Sequence, residues 1–201
     1  MNDIRAFIAI DLSAEIIQNL DKVIQDLKES MGRVPIRWVT AKNVHLTIKF
    51  LGDVSVANLD LLMEIIQSEV SRHPSFDLSV GELGSFPSNR HPRVIWVGVE
   101  APPELDALHR GIETETARLG YAPEGRPFSP HLTLGRVSRN VNAGELRRIS
   151  EVLCSYKVGF LGVTNAGTVH LYRSDLQPGG AVYTRLLSTS LAIADPLEKL
   201  K

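Results

Sequence analysis

The sequence predicts an α+β protein made of two pseudo-symmetric lobes around a central cleft. Three observations predict it. First, the order strand, helix, strand, helix, strand runs through residues 4–83 and again through 94–163. Second, the middle strand of each round opens with the same tripeptide, His45-Leu46-Thr47 in one and His131-Leu132-Thr133 in the other. Third, each round carries two segments with an apolar stripe at helical spacing, so each lobe joins an antiparallel-type sheet to two helices. The 201 residues suffice for one large domain or two small lobes sharing a core. No linker or low-complexity stretch divides them. The expectation is one unit over 1–201, with lobe one at about 1–90, lobe two at about 91–190, and closing strands able to cross between them.

Taken in order, IRAFIAID at 4–11 alternates as a strand, with Ile4, Ala6, Ile8 and Ile10 on one face and Arg5, Phe7, Ala9 and Asp11 on the other. Ser13 is placed to cap a helix carrying Ile16, Ile17, Leu20, Val23, Ile24 and Leu27, which Gly32 ends. A short extended piece comes next, from Ile36 to Val39. HLTIKFLG at 45–52 is the next strand, with Leu46, Ile48 and Phe50 inward and His45 and Thr47 on the opposite face. Gly52-Asp53 is read as the turn into a second helix, carrying Leu59, Leu62, Met63, Ile66 and Val70 and closed by Pro74. Residues 76–83 form a strand, 84–93 a Gly/Pro/Ser/Asn loop, and 94–99 another strand. Pro102 and Pro103 open a third helix that Gly120 ends, and HLTLGR at 131–136 repeats the motif. Asn142 with Glu145 three residues on is a capping box for a fourth helix. Residues 156–190 read as two or three strands broken by a turn at SDLQPGG, and the tail after Pro196 as frayed.

Composition is that of an ordinary globular chain, 43% hydrophobic and 22% charged. A formal net charge of −1 argues against tight binding to long nucleic acids through bulk charge, and leaves a local patch, a chain end or a small nucleotide. The single cysteine, Cys154, excludes an internal disulfide framework and reads as a small buried residue of the fourth helix. The opening MNDIRAFIAIDLS reads as a strand and not a signal peptide, and no apolar run approaches the ~20 residues of a membrane span, so the expected location is the cytoplasm, without membrane contact.

The two HLT strands carry the chemistry. A histidine and a hydroxyl two residues apart on one strand face set a proton carrier beside a hydrogen-bond donor. Two such pairs facing one cleft allow one imidazole to accept a proton from water while the other donates one to a leaving oxygen. The two threonines and nearby backbone N–H groups would hold a phosphoryl group between them. That is a route to phosphodiester cleavage that needs no metal. Neither histidine stands at a metal-ligand spacing such as HExxH, and no GxSxG marks a serine nucleophile.

HLTIKFLG and HLTLGR resemble the paired His-x-Thr motifs of the 2H phosphoesterase superfamily. More narrowly, the chain resembles the RNA 2′,3′-cyclic phosphodiesterase family, also called the 2′-5′ RNA ligase family. RAFIAIDL at 5–12, RWVTAKNVHLTIKFLG at 37–52, FPSNRHPRVIWVGV at 86–99, RPFSPHLTLGR at 126–136 and SDLQPGGAVYTRL at 174–186 carry the likeness. Gly180 stands where the family's closing segment often has proline. The resemblance implies hydrolysis of a 2′,3′-cyclic phosphate at an RNA end to a 2′-phosphate, without metal or cofactor; a monomer is the expected state. It implies that His45 and His131 are the acid–base pair and that Thr47 and Thr133 grip the phosphate. A 2′-phosphate product requires an acid at the 3′ oxygen; His45 is assigned to it and His131 to activating water. Reversible, ATP-independent 2′-5′ joining to a 5′-hydroxyl is a further implication, since the cyclic phosphate supplies the activation. The competing readings are a phosphodiesterase on small cyclic nucleotides, on ADP-ribose 1″,2″-cyclic phosphate or on 2′-5′ oligonucleotides, and a non-catalytic RNA- or nucleotide-binding module.

Arg136 is the further candidate phosphate ligand, its planar guanidinium suiting a phosphate. Unbroken alternation would put it on the Leu132/Leu134 face, so a bulge at Gly135 is needed to re-aim it. Phe7 is a candidate for stacking on a base, with packing as the alternative. Trp38 and Trp96 read as core; His73, His91, His109 and His170 read as structural or solvated. Arg90, Arg93 and Arg126 read as solvated loop residues.

Overall fold

The computed structural model describes residues 3–178 and 180–193. The fraying expected after Pro196 falls outside the described residues. The elements are β1 (Asp3–Ile10), α1 (Ala14–Met31), β2 (Ile36–Trp38), β3 (Leu46–Ser55), α2 (Leu59–Val70), β4 (Phe76–Phe86), β5 (Val94–Glu100), α3 (Pro103–Ala117), β6 (His131–Val137), α4 (Ala143–Ser155), β7 (Phe160–Ala166), β8 (Thr168–Gln177) and β9 (Gly180–Ser190).

The strands form one antiparallel sheet in the order β7-β4-β5-β6-β3-β1-β8-β9, with β2 pairing separately to β6. Its two halves, β9-β8-β1-β3 and β6-β5-β4-β7, meet where β3 pairs with β6 at Leu46 and Leu132. The halves match strand for strand: β1 corresponds to β5 and β3 to β6. The chain exchanges strands to build them. β4, from the first round of the sequence, pairs with β5 and β7. β8 and β9, from its end, extend the half that begins with β1. Helices obey the same division: α2 packs on α3 beside β3 and β9, while α1 packs on α4 beside β7 and β4.

The local signals explain the helices. The Ser13 hydroxyl accepts from the Ile16 N–H, and the apolar stripe Ile16, Leu20, Val23, Ile24, Leu27 and Met31 is buried. Gly32, at φ 66°, ends α1 in a conformation that disfavours a side chain. Asn142 and Glu145 form the full capping box of α4.

Four expectations are corrected. Gly52-Asp53 does not turn the chain into a helix: β1 offers partners as far as the Asp3–Ser55 pair, so β3 continues to Ser55, and a short 3₁₀ turn at Val56–Asn58 leads to α2. β4 runs to Phe86, into the segment read as loop, because β5 pairs with it up to Val94. β8 runs to Gln177, paired with Gly180, which narrows the turn expected across SDLQPGG. Cys154 is exposed on α4, not buried. Among the described residues, no helix is long and apolar enough to cross a membrane.

Candidate active site

Both motifs break the strand alternation at the same place. In β3, Thr47 pairs with Ala9 but Lys49 pairs with Ile8, which leaves Ile48 as an extra residue. In β6, Thr133 pairs with Trp96 but Gly135 pairs with Ile95, which leaves Leu134 extra. Each is a β-bulge three residues after the motif histidine, and each reverses the face taken by the residues beyond it. Arg136 is thereby turned to the cleft beside Thr133, as the re-aiming at Gly135 required. The same reversal overturns the expectation for Phe50. It is 58% exposed on the cleft side, while Lys49 takes the inner face at 2% exposure. Phe50 and Arg136 thus hold equivalent positions in the two halves.

A cavity of about 180 Å³ is lined by His45, Thr47, Thr133, Arg136 and Phe7, with Arg5, Asn43 and Ser174 beside them. His131 does not line it. It lies across Thr47, in a second cavity of about 470 Å³ that shares Thr47 and Phe50 with the first. The antiparallel register at Leu46 and Leu132 accounts for this, because it sets His45 against Thr133 and His131 against Thr47.

The histidines are held alike. His45 Nδ1 lies 2.9 Å from the Asn43 carbonyl oxygen, and His131 Nδ1 lies 2.7 Å from that of Ser129. A carbonyl only accepts, so each Nδ1 donates its hydrogen, and Nε2 of the neutral ring is left to exchange protons. Burial lowers the pKa of His45 below its ordinary value, against smaller raising effects from the Asn43 carbonyl and the Asp11 charge.

Of the two readings of Phe7, its surroundings favour packing over a base platform. It is 3% exposed. One face of its ring stacks on His45, centroids 4.6 Å apart, and Tyr172 stacks on it at 5.3 Å. Tyr183 meets both Phe7 and His45 edge-on, at 5.0 and 5.3 Å. Tyr172 is tied in turn: its hydroxyl donates to Asp11 at 2.8 Å, and Arg185 Nη2 reaches Asp11 Oδ2 at 2.7 Å. This bracing of His45 is not legible in the sequence, since its parts lie far apart along the chain. The only hint is Asp11, on the Phe7 face of β1.

The run before His131 is anchored differently. Lys49 Nζ lies 2.7 Å from Glu113 Oε2 and donates to the Ala122 carbonyl at 3.0 Å. The Glu124 N–H donates to the same carboxylate oxygen. His109 stacks on Phe128 with centroids 4.0 Å apart, so it holds the loop rather than standing solvated. His131 itself meets Phe86 edge-on at 4.9 Å. Trp96 crosses Gly84 so closely that a β-carbon there would lie 2.3 Å from the indole. His73 pairs with Glu69, and His170 is bonded to Ser188, both structural.

Comparison with known proteins adds to this geometry. A family model described as LigT-like phosphoesterase matches twice, over residues 10–96 and 97–183. The chain is 34% identical over 181 residues to the RNA 2′,3′-cyclic phosphodiesterase of Methanothermobacter thermautotrophicus, covering 90% of this chain and 95% of that protein. It is 32% identical over 183 residues to the RNA 2′,3′-cyclic phosphodiesterase of Escherichia coli, covering 90% and 93%. The crystal structure of E. coli LigT complexed with 3′-AMP is similar at a TM-score of 0.74 and 30% identity, over 94% of this chain and 99% of that one.

Proposed function

From the premise that this chain belongs to the LigT-like phosphoesterase family, we propose that it hydrolyses the 2′,3′-cyclic phosphate at RNA ends to a 2′-phosphate with two histidines and no metal. The observation that carries the reading is the matched pair of histidines, each donating from Nδ1 to a carbonyl two residues back and set on either side of Thr47 and Thr133. Such a pair presents two Nε2 atoms to one phosphoryl group.

The phosphate sits against Thr47, Thr133 and Arg136. Their hydroxyls and guanidinium take up the negative charge that grows on the non-bridging oxygens as water adds. His131 accepts the proton of the attacking water. His45 donates to O3′ as the P–O3′ bond breaks, which leaves the phosphate on O2′. Two opposed imidazoles suit this in-line displacement, since the attacking and leaving oxygens lie on opposite sides of phosphorus. The bracing of His45 by Phe7, Tyr172 and Tyr183 supports a fixed donor. An exposed, unpaired Cys154 suits a reducing compartment such as the cytoplasm.

The test is turnover of a short RNA ending in a 2′,3′-cyclic phosphate in excess EDTA, with product identified as 2′- or 3′-phosphate. A 2′-phosphate formed at an undiminished rate is the expected result. Dependence on added metal, or a 3′-phosphate product, overturns the mechanism.

A further inference from the structure

β3 pairs with β6 at Leu46 and Leu132, and beyond that point β2 takes over the same edge, with Trp38 opposite Gly135 and Ile36 opposite Val137. Ile36 and Trp38 lie against the inner side of β6: a β-carbon placed on Gly135 would come within 3.0 Å of each. Alternation then turns Arg37 the other way, to the cleft face, directly across from Arg136. Residues opposed in this way hold their β-carbons about 4.5–5.5 Å apart, and like charges there repel. The cross-strand neighbour of Arg136 on its other side, in β5, is Val94 and not a carboxylate. Both arginines are exposed, and neither enters an ion pair or hydrogen bond among the described residues. The fold gains nothing from this repulsion. The reacting phosphate accounts for Arg136 and leaves Arg37 without a role.

Its position says what it meets. Tyr183 lines the first cavity and touches His45 edge-on. Burial raises the pKa of Tyr183, and the charges of Arg136 and Arg37 both oppose the rise, so the second arginine borders the same cavity. In the proposed mechanism His45 serves O3′, so the ribose of the cyclic phosphate, with whatever its 5′ carbon carries, lies on this side of phosphorus. We propose that Arg37 binds a second phosphate, the one carried on the 5′ carbon of the cyclised ribose, beside the reacting phosphate held by Arg136. The inference rests on the proposed two-histidine mechanism and concerns binding alone; no bond of this second phosphate changes. The planar guanidinium offers paired donors to its two non-bridging oxygens. The repulsion between Arg37 and Arg136 is thereby relieved only by a ligand with two phosphates. A nucleoside cyclic phosphate with a bare 5′-hydroxyl fills half of the site, and a strand end fills it. This is a local basic patch in a chain whose net charge is −1.

The test compares two dinucleotides that end in the same 2′,3′-cyclic phosphate and differ only in their internucleotide linkage, a charged phosphodiester in one and a neutral methylphosphonate in the other. Wild type should favour the phosphodiester about tenfold in kcat/KM at low salt, the low end for one hydrogen bond to a charged group. Added salt should shrink that ratio, since both partners are exposed. Arg37→Gln should bring the ratio to about one. Arg136→Gln should slow both substrates and keep the ratio, which separates the reacting phosphate from its neighbour. Each ratio is taken on one enzyme preparation, so a partial loss of fold cancels from it. ADP-ribose 1″,2″-cyclic phosphate carries a pyrophosphate on the 5′ carbon of its cyclised ribose and identifies the source of the second phosphate. In Arg37→Gln, a smaller loss on it than on the phosphodiester dinucleotide assigns the site to RNA, and a larger loss assigns it to a small nucleotide. A wild-type ratio of about one overturns the proposal. So does a ratio kept in Arg37→Gln, including the case in which Arg136→Gln alone abolishes it. Wild type that hydrolyses neither dinucleotide would instead defeat the proposed function itself.

Discussion

The imidazole of His45 lies stacked on the ring of Phe7, with 4.6 Å between centroids and 21° between planes. Phe7 sits between His45 and Tyr172, so the orientation of the proposed acid is set by a packed aromatic and by the Asn43 carbonyl together. Replacing Phe7 with leucine keeps most of the volume but removes the flat surface. The expected cost in stability is under about 1.5 kcal/mol. Turnover should drop about tenfold with little change in KM, the effect of a misplaced proton donor. Urea unfolding and steady-state kinetics on the same preparation separate the two effects. A stability loss without a kcat loss would reduce Phe7 to core filling.

His45→Ala and His131→Ala should each lower kcat by about 10²–10⁴, the usual contribution of one general acid or base. The double variant should lose far less than the product of the two, since the residues act in one step. Circular dichroism and thermal melting check that the fold survives. Retained activity in either single variant removes that histidine from the reaction.

The pH dependence has a worked sign. His45 as acid is active when protonated, so rate falls as pH rises through its pKa. Burial holds that pKa below the ordinary histidine value of 6.5 in the free enzyme. kcat/KM reports the free enzyme, so its alkaline limb should lie below 6.5. A bound phosphate anion favours the imidazolium, so the alkaline limb of kcat should lie at higher pH than that of kcat/KM. Binding should therefore take up a proton, detectable as a buffer-dependent heat in calorimetry. Limbs that coincide would mean that His45 is not the group titrating.

Arg136→Lys and Arg136→Ala should both raise KM for a cyclic-phosphate RNA, and alanine should lower kcat further. Lysine keeps the charge but loses the planar fork that suits two phosphate oxygens. Thr133→Val keeps shape and removes a donor, with an expected loss of about 10²-fold in kcat. Full kcat in Thr133→Val would leave phosphate binding to Arg136 and the backbone.

Lys49 and Glu113 form a buried pair, 2.7 Å apart, between β3 and α3. Lys49→Met alone leaves the Glu113 carboxylate buried without its cation, and the expected cost is about 3–5 kcal/mol. Adding Glu113→Leu should recover much of it, since a hydrophobic pair of similar volume removes the uncompensated charge. Chemical denaturation of the four proteins in the cycle gives the coupling energy directly. A double variant no more stable than Lys49→Met would mean that the bonds to Ala122 and Glu124 dominate.

What the sequence by itself determined is whatever depends on neighbours along the chain. Period-two alternation placed His45 with Thr47 and His131 with Thr133, the capping residues of α1 and α4 set their starts, and the repeated order of elements set the fold class. Tertiary structure decided what depends on pairing between distant strands. A bulge is fixed by the partner strand's register and not by the residue that becomes extra. Gly135 hinted at the bulge in β6, but Ile48-Lys49 in β3 carried no such sign, so alternation assigns Phe50 to the core although it belongs to the cleft. The exchange of β4 and of β8-β9 between halves likewise leaves no local trace. It brings Tyr172, Tyr183 and Arg185 to β1, where the bonds from Tyr172 and Arg185 to Asp11 span 161 and 174 positions of chain. Alternation shows which face a side chain takes on an unbroken strand; only the assembled sheet shows where strands break and which distant ring stacks against a histidine.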